Sequence, residues 1–290
     1  MLLTTRQVAE FVAKGFLRFD ALVPADLNRA AIDEMGRIAA TWGTPDRPYA
    51  PDTGQRWSEI YPAPSAIGEV LRLPAVHGIV ESLVGSDPVF DHDFVHLRMP
   101  NDLSEQPLHA DAIIDPNTAF DIQLFYFPHD VAPGAGGTGF VPGTHLRRVN
   151  ENDVARYHHL LGQQQFSGPA GTILVFHHGL WHRGLANRSD EMRWMYKIRL
   201  NPSGPQVRGW DTSDLDAMQN TASDHLFARF GGDTVASILR SFEPWMSNAE
   251  YRLELTQRAR LWRYLTGDDG FDVDYYLTRL EHRAGWEATV

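Results

Sequence analysis

His109-Ala110-Asp111, with His182 and then Arg193 further along, are the residues of this chain best suited to chemistry. Two neutral imidazoles and one carboxylate can hold a divalent ion on one triangular face and leave the opposite positions open. Non-haem iron chemistry needs that arrangement, because a cosubstrate and dioxygen must meet at one metal. His109 and Asp111 sit two apart, so on an extended segment both side chains project to the same face. The triplet alone is unspecific. With 13 His and 37 acidic residues a chance pairing is easy. A surface His beside a surface Asp, and for His182 an interior imidazole bonded to backbone, explain each residue singly.

The elements that must position these residues follow from patterning. At 290 residues the chain can bury a full core, and 43% hydrophobic with 22% charged residues is ordinary for a globular protein. A formal net charge of -11 argues against a nucleic-acid partner. No apolar run approaches membrane-spanning length, and the first twenty residues lack a signal pattern. With no Cys there is neither a disulfide framework nor a thiolate metal site, which fits a cytoplasmic enzyme. Helices are expected at 4–15, 24–42 and near 66–84, around a Pro-rich loop at 43–66 anchored by Tyr49, Trp57 and Tyr61. Strands are expected at 88–99, 120–128, 137–141, 171–177, 180–186 and 193–200. Short strands that do not alternate with helices indicate a sandwich or jelly roll. Further helices are expected at 234–242, 248–267 and 272–284, packed on the outer face of the roll or held for a dimer contact. The expected fold is α+β but mainly β: a jelly-roll core over 88–205, N-terminal helices and loop over 1–87, and a helical extension over 206–290.

Three stretches carry a family resemblance. Gly171-Thr172-Ile173-Leu174-Val175-Phe176-His177 leads through a turn to His182, then Asn187-Arg188-Ser189, then Arg193. Gly136-Gly137-Thr138-Gly139-Phe140-Val141-Pro142-Gly143-Thr144-His145 forms a second signature, and Thr4, Gln7, Val8, Phe11, Gly15 and Phe16 form an opening pattern. Together they resemble the phytanoyl-CoA dioxygenase family of Fe(II)/2-oxoglutarate-dependent oxygenases, over roughly residues 4–200. The chain departs from the family pattern with Thr138 in place of Leu and Thr144 in place of Ser.

The resemblance implies a double-stranded β-helix of the cupin type and Fe(II) as the metal, with His109, Asp111 and His182 as its ligands. It implies 2-oxoglutarate as cosubstrate, its distal carboxylate on Arg193, whose planar fork suits a carboxylate. Gln123 is a further cosubstrate contact or an ordinary polar strand residue. The family often has a Ser or Thr two residues after the distal ligand, where this chain has Gly184, so the hydroxyl that assists Arg193 must come from elsewhere or from water. The implied reaction couples conversion of 2-oxoglutarate to succinate and carbon dioxide with oxidation of a small molecule by dioxygen. Related halogenases have Ala or Gly at the carboxylate ligand, so Asp111 favours hydroxylation. Desaturation, cyclisation and epimerisation remain open, as does oligomeric state.

Several residues compete for these roles. His177 and His178 are rival ligands but lack the spacing to Asn187-x-Ser189 and Arg193, and His145 follows a Pro-Gly-Thr turn that it more often fixes. His92 with Asp91 and Asp93 reads as a polar strand end. Arg193, Lys197 and Arg199 share a strand face, either as a solvated edge or as a cationic mouth for a carboxylate-bearing substrate. The loop at 43–66 and the insert at 145–170, which carries Arg147, Arg148, His158 and His159, are candidate lids. Two other classes stay in play: a cupin-like metalloenzyme that does not use 2-oxoglutarate, and a non-catalytic jelly-roll binding protein.

Overall fold

A computed structural model describes residues 1–42, 49–111, 119–147, 149, 151–219 and 234–273. Helix α1 (Thr5–Lys14) opens with a reciprocal cap between Thr4 and Gln7 and closes at Gly15, whose φ of 77° is left-handed. Strand β1 (Phe16–Phe19) and helix α2 (Ala25–Ala40) follow. The single helix expected near 66–84 is two, α3 (Ala66–Arg72) and α4 (Pro74–Val84). Pro74 disfavours helical backbone at Leu73 and starts the second helix instead. Strands β2 (Val89–Arg98), β3 (Ile122–Phe127) and β4 (Thr138–Phe140) come next, then a 3-10 turn at Thr144–Leu146, α5 (Glu151–Val154) and β5 (Gln164–Gln165). The chain continues through β6 (Thr172–His177), β7 (His182–Gly184), β8 (Arg193–Asn201), α6 (Leu215–Gln219), α7 (Val235–Leu239) and α8 (Asn248–Thr266). The short elements α5, β5 and α6 escaped the sequence reading, and the helix expected at 272–284 falls almost wholly outside the described residues.

The strands form two antiparallel sheets, β1-β6-β3-β8-β2 and β5-β4-β7. Alternation along the large sheet sorts its side chains onto two faces. Ile122, Leu124, Tyr126, Ile173, Val175, Tyr196, Ile198 and Leu200 join the helices in the larger apolar core. Phe125, Phe127, Leu174, Phe176 and Met195 point the other way, where they meet Phe140 and Phe166 from the small sheet. This is a jelly-roll sandwich without closure into a barrel: helices cover its outer face, and the candidate residues Arg193 and Gln123 lie on its inner face.

The C-terminal helices belong to the same body. Leu255, Ala259, Trp262 and Leu265 of α8 are buried in the larger core, and α7 and α8 both contact α1. Helices α7 and α8 pack on α1 and on each other, within the larger apolar core. The Pro-rich loop is also anchored there. Trp57, Ile60 and Tyr61 are buried in that core, and the Tyr61 ring meets Tyr196 edge-on at 6.1 Å.

Candidate active site

Strand β7 carries His182, and the segment bearing His109 pairs with it directly. His109 N–H donates to the His182 carbonyl at 3.0 Å, and His182 N–H donates to the His109 carbonyl at 2.8 Å. This reciprocal pair sets the two rings 4.5 Å apart, centroid to centroid. Each ring's Nδ1 lies beside a backbone carbonyl, His109 at 2.9 Å from Pro107 O and His182 at 2.8 Å from Leu180 O. An Nδ1–H donated there fixes the tautomer and leaves the Nε2 lone pair free. Asp111 Oδ1 faces those nitrogens, 3.4 Å from His109 Nε2 and 3.8 Å from His182 Nε2. One ligand atom from each of the three residues lies within 4.8 Å of the others.

Electrostatics suit the same use. Burial pushes the His182 imidazole down to about 4, so it is neutral at pH 7. Burial alone would raise Asp111, but His182, His109 and Lys197 outweigh it and hold the carboxyl well below the usual range. His109 moves the other way. Burial lowers it, yet the contacts with Asp111 and Pro107 leave its pKa raised. The set therefore offers imidazole nitrogens beside an anionic oxygen, the donor chemistry a borderline divalent ion prefers.

Arg193 begins β8 and lines the same cavity of about 290 Å³ as His109 and His182, at the small end for small-molecule sites. The residue is 3% exposed, and its guanidinium donates to backbone carbonyls: Nε to Gly136 at 2.6 Å and Nη1 to His96 at 3.3 Å. Among the described residues no carboxylate pairs with it. Burial, with Arg98 nearby, pulls it down to about 9. A buried cation left without an anion is costly, and an incoming carboxylate relieves that cost.

The solvated-edge reading of the β8 cations is corrected by the structure. Arg193 and Lys197 share the inner face with Met195 and are buried; only Arg199, with its guanidinium near the end of the strand, stays partly exposed. Lys197 pairs with Asp111, and Arg199 with Asp121 and Asp91. Arg98 on β2 faces Arg193 in register and pairs with Asp102 at 3.3 Å. Gly184 lies against the ends of two flexible side chains. A Cβ there would meet the Arg98 Nη2 at 2.7 Å and the Gln106 Oε1 at 2.9 Å. Thr138 lies across the strand pair from Gly184 and lines the cavity, its hydroxyl donating to the Met195 sulfur at 3.7 Å.

The remaining sequence candidates fall elsewhere. Gln123 is fully buried on the inner face, opposite Arg199, and both ends of its amide lack partners, but it does not line the cavity with Arg193. His177 and His178 stack on each other at 4.3 Å, and His145 Nε2 is bonded to the Val12 carbonyl at 3.1 Å. None of the three joins the metal-capable group. His92 is exposed beside Asp91. Of the candidate lids, the loop at 49–66 is anchored in the larger core by Tyr49, Trp57, Ile60 and Tyr61, the described insert residues do not line this cavity, and 43–48 and Arg148 fall outside the described residues. Sequence reasoning missed His96, Phe94 and Trp42, which also line the cavity. The parity of Phe94, His96 and Arg98 on β2 was the available signal. Burial, with Lys197 and Arg193 near, pushes His96 down to about 3.

No curated protein sequence matches the chain at a significant level. Among solved structures, the fold is similar to AviO1 from Streptomyces viridochromogenes Tue57, at 17% identity and a TM-score of 0.53, covering 70% of this chain and 97% of that one. It is similar to EctD from S. alaskensis, solved with 2-oxoglutarate and 5-hydroxyectoine, at 18% identity and a TM-score of 0.55, covering 69% and 76%. It is also similar to SnoK, a non-heme alpha ketoglutarate dependent carbocyclase from nogalamycin biosynthesis, at 18% identity and a TM-score of 0.51, covering 74% and 90%. Residues 11–195, which take in the small sheet, most of the large one, the His–Asp–His group and Arg193, match the phytanoyl-CoA dioxygenase model, and the chain belongs to that family of oxygenases, whose cofactors are Fe(II) and 2-oxoglutarate.

Proposed function

We propose that the protein hydroxylates an unactivated carbon of a small molecule, with His109, Asp111 and His182 as the iron ligands and Arg193 as the anchor for the distal carboxylate of 2-oxoglutarate. The observation that carries this reading is Arg193, a buried guanidinium in the cavity of the metal-capable group with no acidic partner among the described residues. When bound, iron with 2-oxoglutarate and dioxygen supplies the oxidising power to insert oxygen at a C–H bond, with succinate and carbon dioxide as coproducts.

The chain's own residues supply orientation and a dry site. The backbone pair between His109 and His182 holds the two imidazoles side by side, and the Pro107 and Leu180 carbonyls keep both Nε2 atoms free for metal. Arg193 can give a carboxylate two parallel hydrogen bonds, and the Thr138 hydroxyl is placed to add another where the family often uses a Ser or Thr at the position of Gly184. Gln123, with both amide ends free, retains capacity for a further polar contact from below. Phe125 and Phe176 pack edge-on against His182 at 5.5 and 5.8 Å, which excludes water from behind the site. Trp42 and Phe94 stack at 5.6 Å at the opening, 45% and 50% exposed, and offer a substrate an apolar wall. Asp111 keeps a carboxylate where related halogenases lack one, which supports oxygen insertion over halogen transfer. A cytoplasmic setting, with dioxygen and the small molecule as partners, completes the proposal.

The test is succinate release from 2-oxoglutarate in the presence of Fe(II), with candidate small molecules read by mass spectrometry for one added oxygen. Asp111→Ala is expected to abolish succinate formation. Full turnover by that variant, with no chloride added, would refute the assigned ligands.

A further inference from the structure

The two oxygens of Asp111 face different partners. Oδ1 points to the imidazole Nε2 atoms, at 3.4 Å from His109 and 3.8 Å from His182. Oδ2 is held in an ion pair by Lys197 Nζ. Lys197 reaches it from the inner face of β8, where its register partners are Phe94 on β2 and Phe125 on β3. Its ammonium lies 5.7 Å from the Phe125 ring centroid. Both members are shielded, with side chains 11% and 15% exposed, so the contact is not a solvated surface pair.

A carboxylate beside a divalent ion can bind through one oxygen or chelate through both. The difference matters here. On a metal held by three side chains, a chelating carboxylate takes one of the positions that a bidentate keto acid and dioxygen must share. Lys197 sits on the oxygen that chelation would need. We propose that Lys197 is a positioning residue that restricts Asp111 to one-oxygen ligation and so keeps that metal position open. The proposal rests on the reading of His109, Asp111 and His182 as ligands. It also accounts for the residue type, since an ammonium is a compact point charge able to occupy one oxygen, whereas the arginine fork engages both. A second consequence follows from charge. A cation fixed on the ligand's outer oxygen opposes the incoming divalent ion, so the wild-type site binds metal more weakly than the trio would alone.

The experiment titrates Co(II) into the metal-free full-length protein by calorimetry, follows the visible absorption of the bound ion, and repeats both with 2-oxoglutarate present; none of these readouts needs turnover. Lys197→Met keeps the apolar stem against Phe125 and removes the charge. It is expected to bind Co(II) at least about tenfold more tightly. Its Co(II) spectrum should differ from wild type before cosubstrate is added, and it should take up 2-oxoglutarate less well. Lys197→Arg is expected to bind Co(II) more weakly than wild type. Lys197→Gln serves in place of the Met variant if thermal melting shows the latter unfolded. A neutral variant with unchanged Co(II) affinity and spectrum but weakened 2-oxoglutarate binding overturns the proposal and makes Lys197 a cosubstrate contact. His182→Ala separates the two levels. If it binds Co(II) as tightly as wild type, the ligand assignment itself fails, and the role of Lys197 fails with it.

Discussion

Arg193 illustrates how a single residue can be set up for a partner from outside the chain. Its Nε and Nη1 are spent on the Gly136 and His96 carbonyls, which fix the guanidinium plane without neutralising its charge. Such a group gains from an anion, because a charge-assisted bond there forms in a largely desolvated place. Arg193→Ala is expected to weaken 2-oxoglutarate by roughly 30- to 150-fold in Kd, equivalent to about 2–3 kcal/mol. Thr138→Val, losing one neutral hydroxyl, is expected to cost about tenfold or less. Equal losses in calorimetric titrations of the metal-loaded variants would contradict the assignment of Arg193 as the principal anchor. The His109 and Asp111 spacing was legible in the residue pattern, and the family resemblance singled out His182 and Arg193. The partners that tune them, Lys197 and Arg98, come from strands distant in sequence and were not.

Strands β2, β7 and β8 illustrate the same point one level up. Their existence was readable from Val, Ile, Phe and Tyr runs between turns, and β2 and β8 fall close to the expected bounds. Which face of β8 is buried was not readable, because cations alternating with apolar residues suit an exposed edge as well as an ion-paired interior. Pairing with β3 on one side and β2 on the other puts Arg193 and Lys197 inside the roll. On β7 the arrival of Arg98 from β2 determines what Gly184 can be. Gly184→Ser places a Cβ 2.7 Å from the Arg98 Nη2 and 2.9 Å from the Gln106 Oε1, so the ends of these two flexible side chains must shift, Arg98 beside Arg193 among them. This substitution, although it restores a hydroxyl where the family often has one, is expected to weaken 2-oxoglutarate binding several-fold. Tighter binding by Gly184→Ser would show that the space is freer than the packing indicates.

At the scale of the molecule, two apolar cores share one sheet, and several imidazoles are sealed between them and the site. His145 is held down to about 3 from 6.5, chiefly by burial, and His182 to about 4. Unfolding returns each toward its ordinary value, so below pH 6.5 the unfolded chain binds protons that the folded chain refuses. The stability these groups confer is complete above that pH and is lost as pH falls toward the folded values. At pH 5 the loss is on the order of 2 kcal/mol per imidazole. Urea melts of the metal-free protein should therefore show a lower midpoint at pH 5 than at pH 7, with a smaller drop in His145→Gln. A midpoint independent of pH over that range would mean that the imidazoles are solvated.

By itself the sequence carried the order of the elements and the mainly β character, because runs of strand-forming residues between turns are local, and its resemblance to a known family carried the oxygenase class. Only the tertiary structure decided that Lys197 takes one oxygen of Asp111 while the other faces the two imidazoles, and that Arg193 and Lys197 of β8 lie inside. Those outcomes depend on pairing between segments far apart in the chain, where a shift of one residue in register would turn every side chain to the opposite face.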